Sequence, residues 1–309
     1  MYVKKIFYKY TDAEGAKKIL ENLKILYSSP EKFNDPFDCK IGLRCDYEHE
    51  RFGPLFFGKL YLLLFSSARP KLPYGVKKEK LLELWESHDN EKKMRFMKNM
   101  RTDWEKKEVL GDAEQRNESA INLIMSKYRV FCVSAIYHDI LMWAHYADKH
   151  RGVVIKLSMP ENPPGCWSFK KVTYSDEFPI HNTTEQMVDN MLGLWHPNPE
   201  ETASKLVFTK SRHWKYEQEW RDVVRNDDPD NFDEGRHLFD IEEERILGVY
   251  FGVNIKGDDR SEIMQIVSDK FPHVEVYQAI KDNNKFKLNF TREKQVYLEC
   301  KTNNSCCSQ

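Results

Sequence analysis

Three ionisable side chains stand at alternate positions in the stretch HWKYEQEWRDVV (His213–Val224): Glu217, Glu219 and Arg221. The apolar pair Val223-Val224 at its end predicts a β-strand, and a strand points successive side chains to opposite faces. Tyr216, Gln218 and Trp220 then share one face, and the three charged residues share the other. Two carboxylates so close repel unless something offsets them, and Arg221 is the obvious offset. Two arrangements satisfy this requirement. One is a solvated strand edge carrying an Arg–Glu pair. The other is a cleft in which one Glu orients a hydroxyl and the other steers a nucleophile. In a cleft, burial and a neighbouring cation pull a carboxylate's pKa in opposite directions. Such a trio suits the stabilisation of a developing positive charge, as in the cleavage of a glycosyl bond.

Further polar groups recur elsewhere. Asp139, Met142, Trp143, Tyr146 and His150 fall at i, i+3, i+4, i+7 and i+11, one face of a helix. Trp143 on that face reads either as core or as a wall for a ligand. His145 and Tyr146 carry polar ends that need partners if buried. In FNDPF (Phe33–Phe37), Asn34 and Asp35 either close a turn on their own backbone or sit at the rim of a cleft. No H-E-x-x-H, no C-x-x-C, no Walker A, no G-x-G-x-x-G after a strand and no G-x-S-x-G elbow occurs, so no metal site is expected.

The elements that must position these residues read as an α+β fold. VKKIFYKY predicts a strand. Thr11–Glu14 reads as a capping box that opens a helix, and KILYSS follows as a second strand. RVFCVSA (Arg129–Ala135) and GVVIKLS are buried strands. The helix between them, His138–Gly152, has Asp139 in its first turn, cations in its last and Gly152 just past its end. That crossover suits parallel or mixed pairing, with antiparallel placement open. FKKVTYS is another strand, and helices are expected near Thr184–Leu194 and Pro199–Lys210. ERILGVYFG, a helix over Arg260–Phe271, VEVYQAI and KFKLNF complete the pattern. Between about residues 55 and 127 the β pattern stops and amphipathic helices take over. The expectation is one domain over residues 1–295 with a mixed central sheet, a mostly helical insertion at about 55–127, and a flexible tail at 296–309. The insertion's alternating lysines and acids form a solvated face or a surface for a protein partner.

Over 309 residues, 48 Lys and Arg nearly balance 49 Asp and Glu, so no global field favours nucleic acid or a membrane. The first residues lack a secretory apolar core, and no apolar run reaches membrane-spanning length. Seven cysteines, an odd number without metal spacing, point to a reducing, cytoplasmic compartment.

FNDPF, MWAHYA (Met142–Ala147) and EQEWR (Glu217–Arg221), with the strands around them, resemble a prokaryotic family known as domain of unknown function 2971. More distantly, the order of pieces resembles the ADP-ribosyltransferase fold. That resemblance implies a mixed sheet and NAD as substrate. YKYT…AKKIL…LYSS would be the first motif, and Lys9, Tyr10 and Thr11 stand where those enzymes carry His or Arg. Lys9 or Tyr10 would meet a pyrophosphate or ribose. Ser134 would match the second-motif serine, and Tyr146 would stack on nicotinamide. Glu219 would be the catalytic glutamate and Glu217 its upstream partner. The resemblance further implies a protein, a nucleic acid or water as acceptor, and a role as a toxin or phage-defence effector. The alternative is a non-catalytic nucleotide- or partner-binding module of a defence system. Transfer of a phosphate from RNA to NAD is a third reading.

Overall fold

A computed structural model describes residues 4–40, 44–46, 48–75, 77–106, 121–160, 169–225 and 236–293. The expected tail at 296–309 lies outside them. The chain divides into two compact units. The first comprises Met1–Ser28, Arg129–Val172 and His213–Gln309, and the second Ser29–Tyr128 and Thr173–Arg212.

The first unit is α+β and is built on one mixed sheet, of ten strands among the described residues. In chain order these are β1 (Lys4–Thr11), β2 (Lys24–Ser28), β3 (Tyr128–Ser134), β4 (Val153–Pro160) and β5 (Lys170–Lys171). They continue with β6 (Glu219–Arg225), β7 (Arg236–Asp240), β8 (Ile246–Phe251), β9 (Glu275–Lys281) and β10 (Leu288–Glu293). Among the described residues three α-helices accompany them: α1 (Ala13–Asn22), α2 (Ile140–Tyr146) and α3 (Gly257–Lys270). The sheet runs β7-β2-β3-β1-β4-β8-β9-β10, with β6 joined to β3 and β5 joined to β6. β8 and β9 are parallel. The long β1–β4 ladder, β4–β8 and β9–β10 are antiparallel.

Apolar side chains cover both sheet faces, which explains the nearly unbroken apolar run of β4. Val153, Ile155, Leu157 and Met159 join one core with residues of α1 and α3, including Ala16, Leu20, Ile263 and Val267. Val154 joins the other, with Met142 and Trp143 of α2 and Tyr10, Tyr250 and Leu288. β1 alternates likewise, with Phe7 in the first core and Tyr10 in the second.

Four local expectations are corrected. Asp12, not Thr11, caps α1, its carboxylate accepting from Gly15 N–H at 2.6 Å. Thr11 is still paired with Val153 in the β1–β4 ladder, so Asp12 is the first residue able to turn away. The helix expected over His138–Gly152 is only Ile140–Tyr146, capped by Asp139. Beyond it Asp148, Lys149 and His150 all have positive φ. The chain must drop at once into β4, and Gly152 N–H closes that descent onto Ala147 O at 2.8 Å. β3 and β4 do not pair. β1 lies between them, antiparallel to both, so they run the same way and the crossover steps over it. The strand expected from His213 begins only at Glu219. Arg212–Glu217 is a 3-10 helix, and Gln218 sits at φ 44.

The second unit holds helices His49–Phe65, Lys78–Glu86, Asn90–Lys106, Thr184–Leu192 and Pro199–Val207, with a helical turn at 121–126. Phe52, Phe56, Leu60, Leu84, Val188 and Leu192 form part of its core. Two short parallel pairs complete it, Arg44–Asp46 with Ile180–Thr183 and Thr173–Ser175 with Thr209–Ser211. FKKVTYS is therefore split, its first half in the large sheet and its second half here. Among the described residues no helix is long and apolar enough to cross a membrane.

Gly152 is fixed by close approach: a Cβ there would lie 2.2 Å from Thr11 O and 2.9 Å from Ala147 C. Both obstacles are backbone. Gly58, exposed in the middle of a helix, has nothing within 4 Å of its would-be Cβ. Gly152→Ala is expected to cost on the order of 2–3 kcal/mol in urea unfolding. Gly58→Ala is expected to add about 0.5–1 kcal/mol.

Candidate functional site

The carboxylates come together even though the chain breaks its strand alternation at Gln218. Gln218, in the left-handed region, turns out to solvent. Glu217 and Glu219 on either side of it turn inward, 2% and 5% exposed. Tyr216 packs with the α2-side core. Trp220 packs on the opposite face, its ring 5.5 Å from Phe7. The expected sharing of one face by Tyr216, Gln218 and Trp220 therefore fails, while the grouping of Glu217, Glu219 and Arg221 holds. Of the two arrangements read from the sequence, the solvated edge is excluded: Arg221 has no exposed surface at all.

Each group is held. Arg221 grips Glu219 with two parallel bonds, Nε to Oε1 at 2.8 Å and Nη2 to Oε2 at 2.9 Å. This forked contact matches guanidinium to carboxylate geometry and fixes the carboxylate plane. Tyr146, from the end of α2, donates its hydroxyl to Glu217 Oε1 at 2.6 Å. Ser134, at the end of β3, donates to Glu217 O at 2.5 Å and accepts from Ile136 N–H at 3.1 Å. Ala135 N–H bonds Gln218 O at 3.1 Å. The β3 terminus thus clamps the backbone between the two acids. Ser134 acts here on the main chain.

Lys9, from β1, donates to Cys132 O at 3.1 Å and lies over the Phe131 ring. Burial pushes its ammonium below the ordinary lysine range, and the neighbouring Cys132 and Glu219 side chains oppose that shift. Burial and the nearby Glu219 push the Cys132 thiol far up, so it is no thiolate at neutral pH. Tyr10 is a core residue. Its hydroxyl donates to Ile136 O at 3.1 Å, and burial and Asp139 push its ionisation up.

These side chains line a recess of about 60 Å³, formed by Tyr8, Lys9, Tyr10, Cys132, Ser134, Tyr146, Glu217 and Glu219 among others. A larger cleft of about 1040 Å³ shares Lys9, Tyr10 and Tyr146 with it. Thr11 lines that cleft, as do Lys18, Lys24 and His237. Four other candidates are placed differently. Trp143 is fully buried, its Nε1 donating to Tyr137 O at 2.7 Å, which makes it core. His145 is exposed, edge-on to Trp214 at 5.9 Å, and lines neither cavity. Asn34 and Asp35 belong to the second unit, where Asp35 accepts from Phe37 N–H at 2.9 Å, closing a turn. Among the described residues no group of three His, Cys, Asp or Glu could hold a metal.

Sequence reasoning missed Tyr8, Cys132, Lys18, Lys24 and His237 as lining residues. It also missed Asp222, buried and bonded to Tyr27 Oη at 2.7 Å. An aspartate within a β-branched run is a usable signal for the last, since it demands a partner. Nothing in the sequence marks the others.

A buried ion pair that loses one member leaves an uncompensated charge. Arg221→Met is expected to destabilise by about 3–5 kcal/mol in urea unfolding. The double variant Glu219→Gln/Arg221→Met is expected to cost less than the two single changes added together.

No curated protein matches the chain. No solved structure matches it. Residues 142–221 match the model of a family described as Protein of unknown function (DUF2971). The matched segment opens at Met142 of MWAHYA, closes at Arg221 of EQEWR and leaves FNDPF outside. The clamp between Tyr146 and the Glu217–Arg221 trio thus lies within the one stretch whose match supports grouping this chain with that family.

Proposed function

We propose that the chain is an NAD-consuming, ADP-ribosyltransferase-like enzyme whose reactive end is the recess around Glu217 and Glu219. One observation carries this reading. Lys9, Ser134, Tyr146 and the two acids come from four separate segments and line one recess beside a much larger cleft. Small-molecule sites usually enclose about 300–1,000 Å³, so the cleft is large enough for a dinucleotide. Lys9, Lys18, Lys24 and His237 along it suit a diphosphate.

In this reading the bond between ribose C1′ and the nicotinamide nitrogen breaks, and its electron pair leaves with nicotinamide. Positive charge then develops on the ribose opposite Glu219, whose orientation Arg221 fixes. An incoming hydroxyl or water supplies the lone pair for the new C1′ bond and gives its proton to Glu217. With water the products are ADP-ribose and nicotinamide. With a protein or nucleic-acid group the product is an ADP-ribosylated acceptor, the outcome that suits a toxin or phage-defence effector.

A second reading, a nucleotide-binding module without turnover, is favoured by one specific feature. Both oxygens of Glu219 are engaged by Arg221, as in a purely structural ion pair.

Nicotinamide release from NAD, followed by chromatography with water, protein and RNA as acceptors, separates the two. Turnover by the native chain, lowered about 10²–10³-fold by Glu219→Gln and by Glu217→Gln in folded protein, supports the enzyme. Calorimetric binding of NAD without turnover supports the module. Neither binding nor turnover removes both readings.

A further inference from the structure

The hairpin joining β9 to β10 carries a second cavity, separate from the carboxylate recess and its cleft. It encloses about 590 Å³. Ile140, Val253, Lys281, Lys285, Lys287 and Phe286 are among the residues that line it. Phe286 is 98% exposed, an unusual position for a large apolar ring.

The tip that presents this ring is internally braced. Asp282 Oδ1 accepts from the backbone N–H groups of Asn284 and Lys285, at 2.9 and 3.0 Å. Its Oδ2 accepts from Asn289 Nδ2 at 3.0 Å and pairs with Lys287 Nζ at 3.4 Å. Those bonds hold the Asp282 carboxyl down at about 2, so it stays a carboxylate at neutral pH. The tip's one carboxylate is therefore committed to internal bonds. Among the described residues no ion pair is formed by Lys281 or Lys285, and both are exposed, so their charge is offered to solvent on the hairpin that carries the ring. An exposed aromatic ring on a segment rich in cations is how proteins take unpaired nucleotides: the base stacks and the phosphates meet the charges.

We propose that this hairpin binds single-stranded nucleic acid, with one unpaired base stacked on Phe286 and the flanking phosphates on Lys281 and Lys285. The proposal goes beyond NAD consumption and does not depend on it. The stacking contact selects unpaired strands, since bases in a duplex already stack on one another.

The test is fluorescence anisotropy of the full chain with a labelled single-stranded RNA of about twelve nucleotides, at several salt concentrations. Binding is expected, and Phe286→Ala should weaken it roughly 5- to 150-fold. That side chain is in solvent, so the fold should be untouched. Replacing both Lys281 and Lys285 by Ala should flatten the slope of log affinity against log salt by about 1.4. The proposal is overturned by no binding at low salt, or by unchanged affinity in Phe286→Ala. Equal competition by a duplex of the same length overturns it too, as does retention on phosphatidylserine vesicles without RNA binding.

Discussion

A guanidinium with no contact to water and a carboxylate almost as deeply buried form a forked pair on β6. Removing either ion from water costs several kcal/mol, and only good geometry with further hydrogen bonds recovers it. The surroundings of β6 meet that demand. Ser134 and Ala135 pin the backbone at residues 217 and 218, so the strand cannot slide out of register. Tyr146 closes over the second carboxylate. Phe7 and Trp220 seal the opposite face. The strength of the recess as a functional candidate comes from this: charges so costly to bury persist where structure or chemistry requires them.

β1 ties the two sides of the unit together. It is central in the sheet, and it alternates between the two cores through Phe7 and Tyr10. Lys9 and Thr11 of the same strand reach the large cleft. Lys9 lines the recess together with Glu219, and two opposing effects act on its ammonium. Burial disfavours its charge while the acid favours it. One strand therefore sets both the packing and the charge of the recess.

Much of the fold was legible from pattern alone. Buried strands such as β3, β4 and β8 advertise themselves as runs of β-branched and apolar residues. The helices of residues 78–106 show their amphipathic spacing plainly. What escaped was local and followed from long-range contact. The strand Arg236–Asp240 carries only a weak β signal, because at the sheet edge it needs to satisfy just one neighbour. The early end of α2 is dictated by Gly152 meeting Thr11, a residue 141 positions away. Of the candidate site, Glu217, Glu219 and Arg221 were legible from their alternate spacing and Tyr146 from its polar end on an apolar helix face, while Lys9 and Ser134 were named only through the fold resemblance. Trp143 was ambiguous because a buried indole and a ligand-facing one share the same helical spacing.

By itself the sequence determined residue chemistry and element type: which segments are apolar at period two, which at three to four, and which carry acids and cations at fixed spacing. Tertiary structure alone decided that the face the acids share is the buried one. A single left-handed residue, Gln218, replaced strand alternation with a turn and yet sent both Glu217 and Glu219 inward. The tertiary structure also decided that β1 separates β3 from β4 and brings Lys9 to the acids. Side-chain type follows from local covalent identity. Convergence depends on burial energy summed over segments more than a hundred residues apart, and no local pattern encodes that sum.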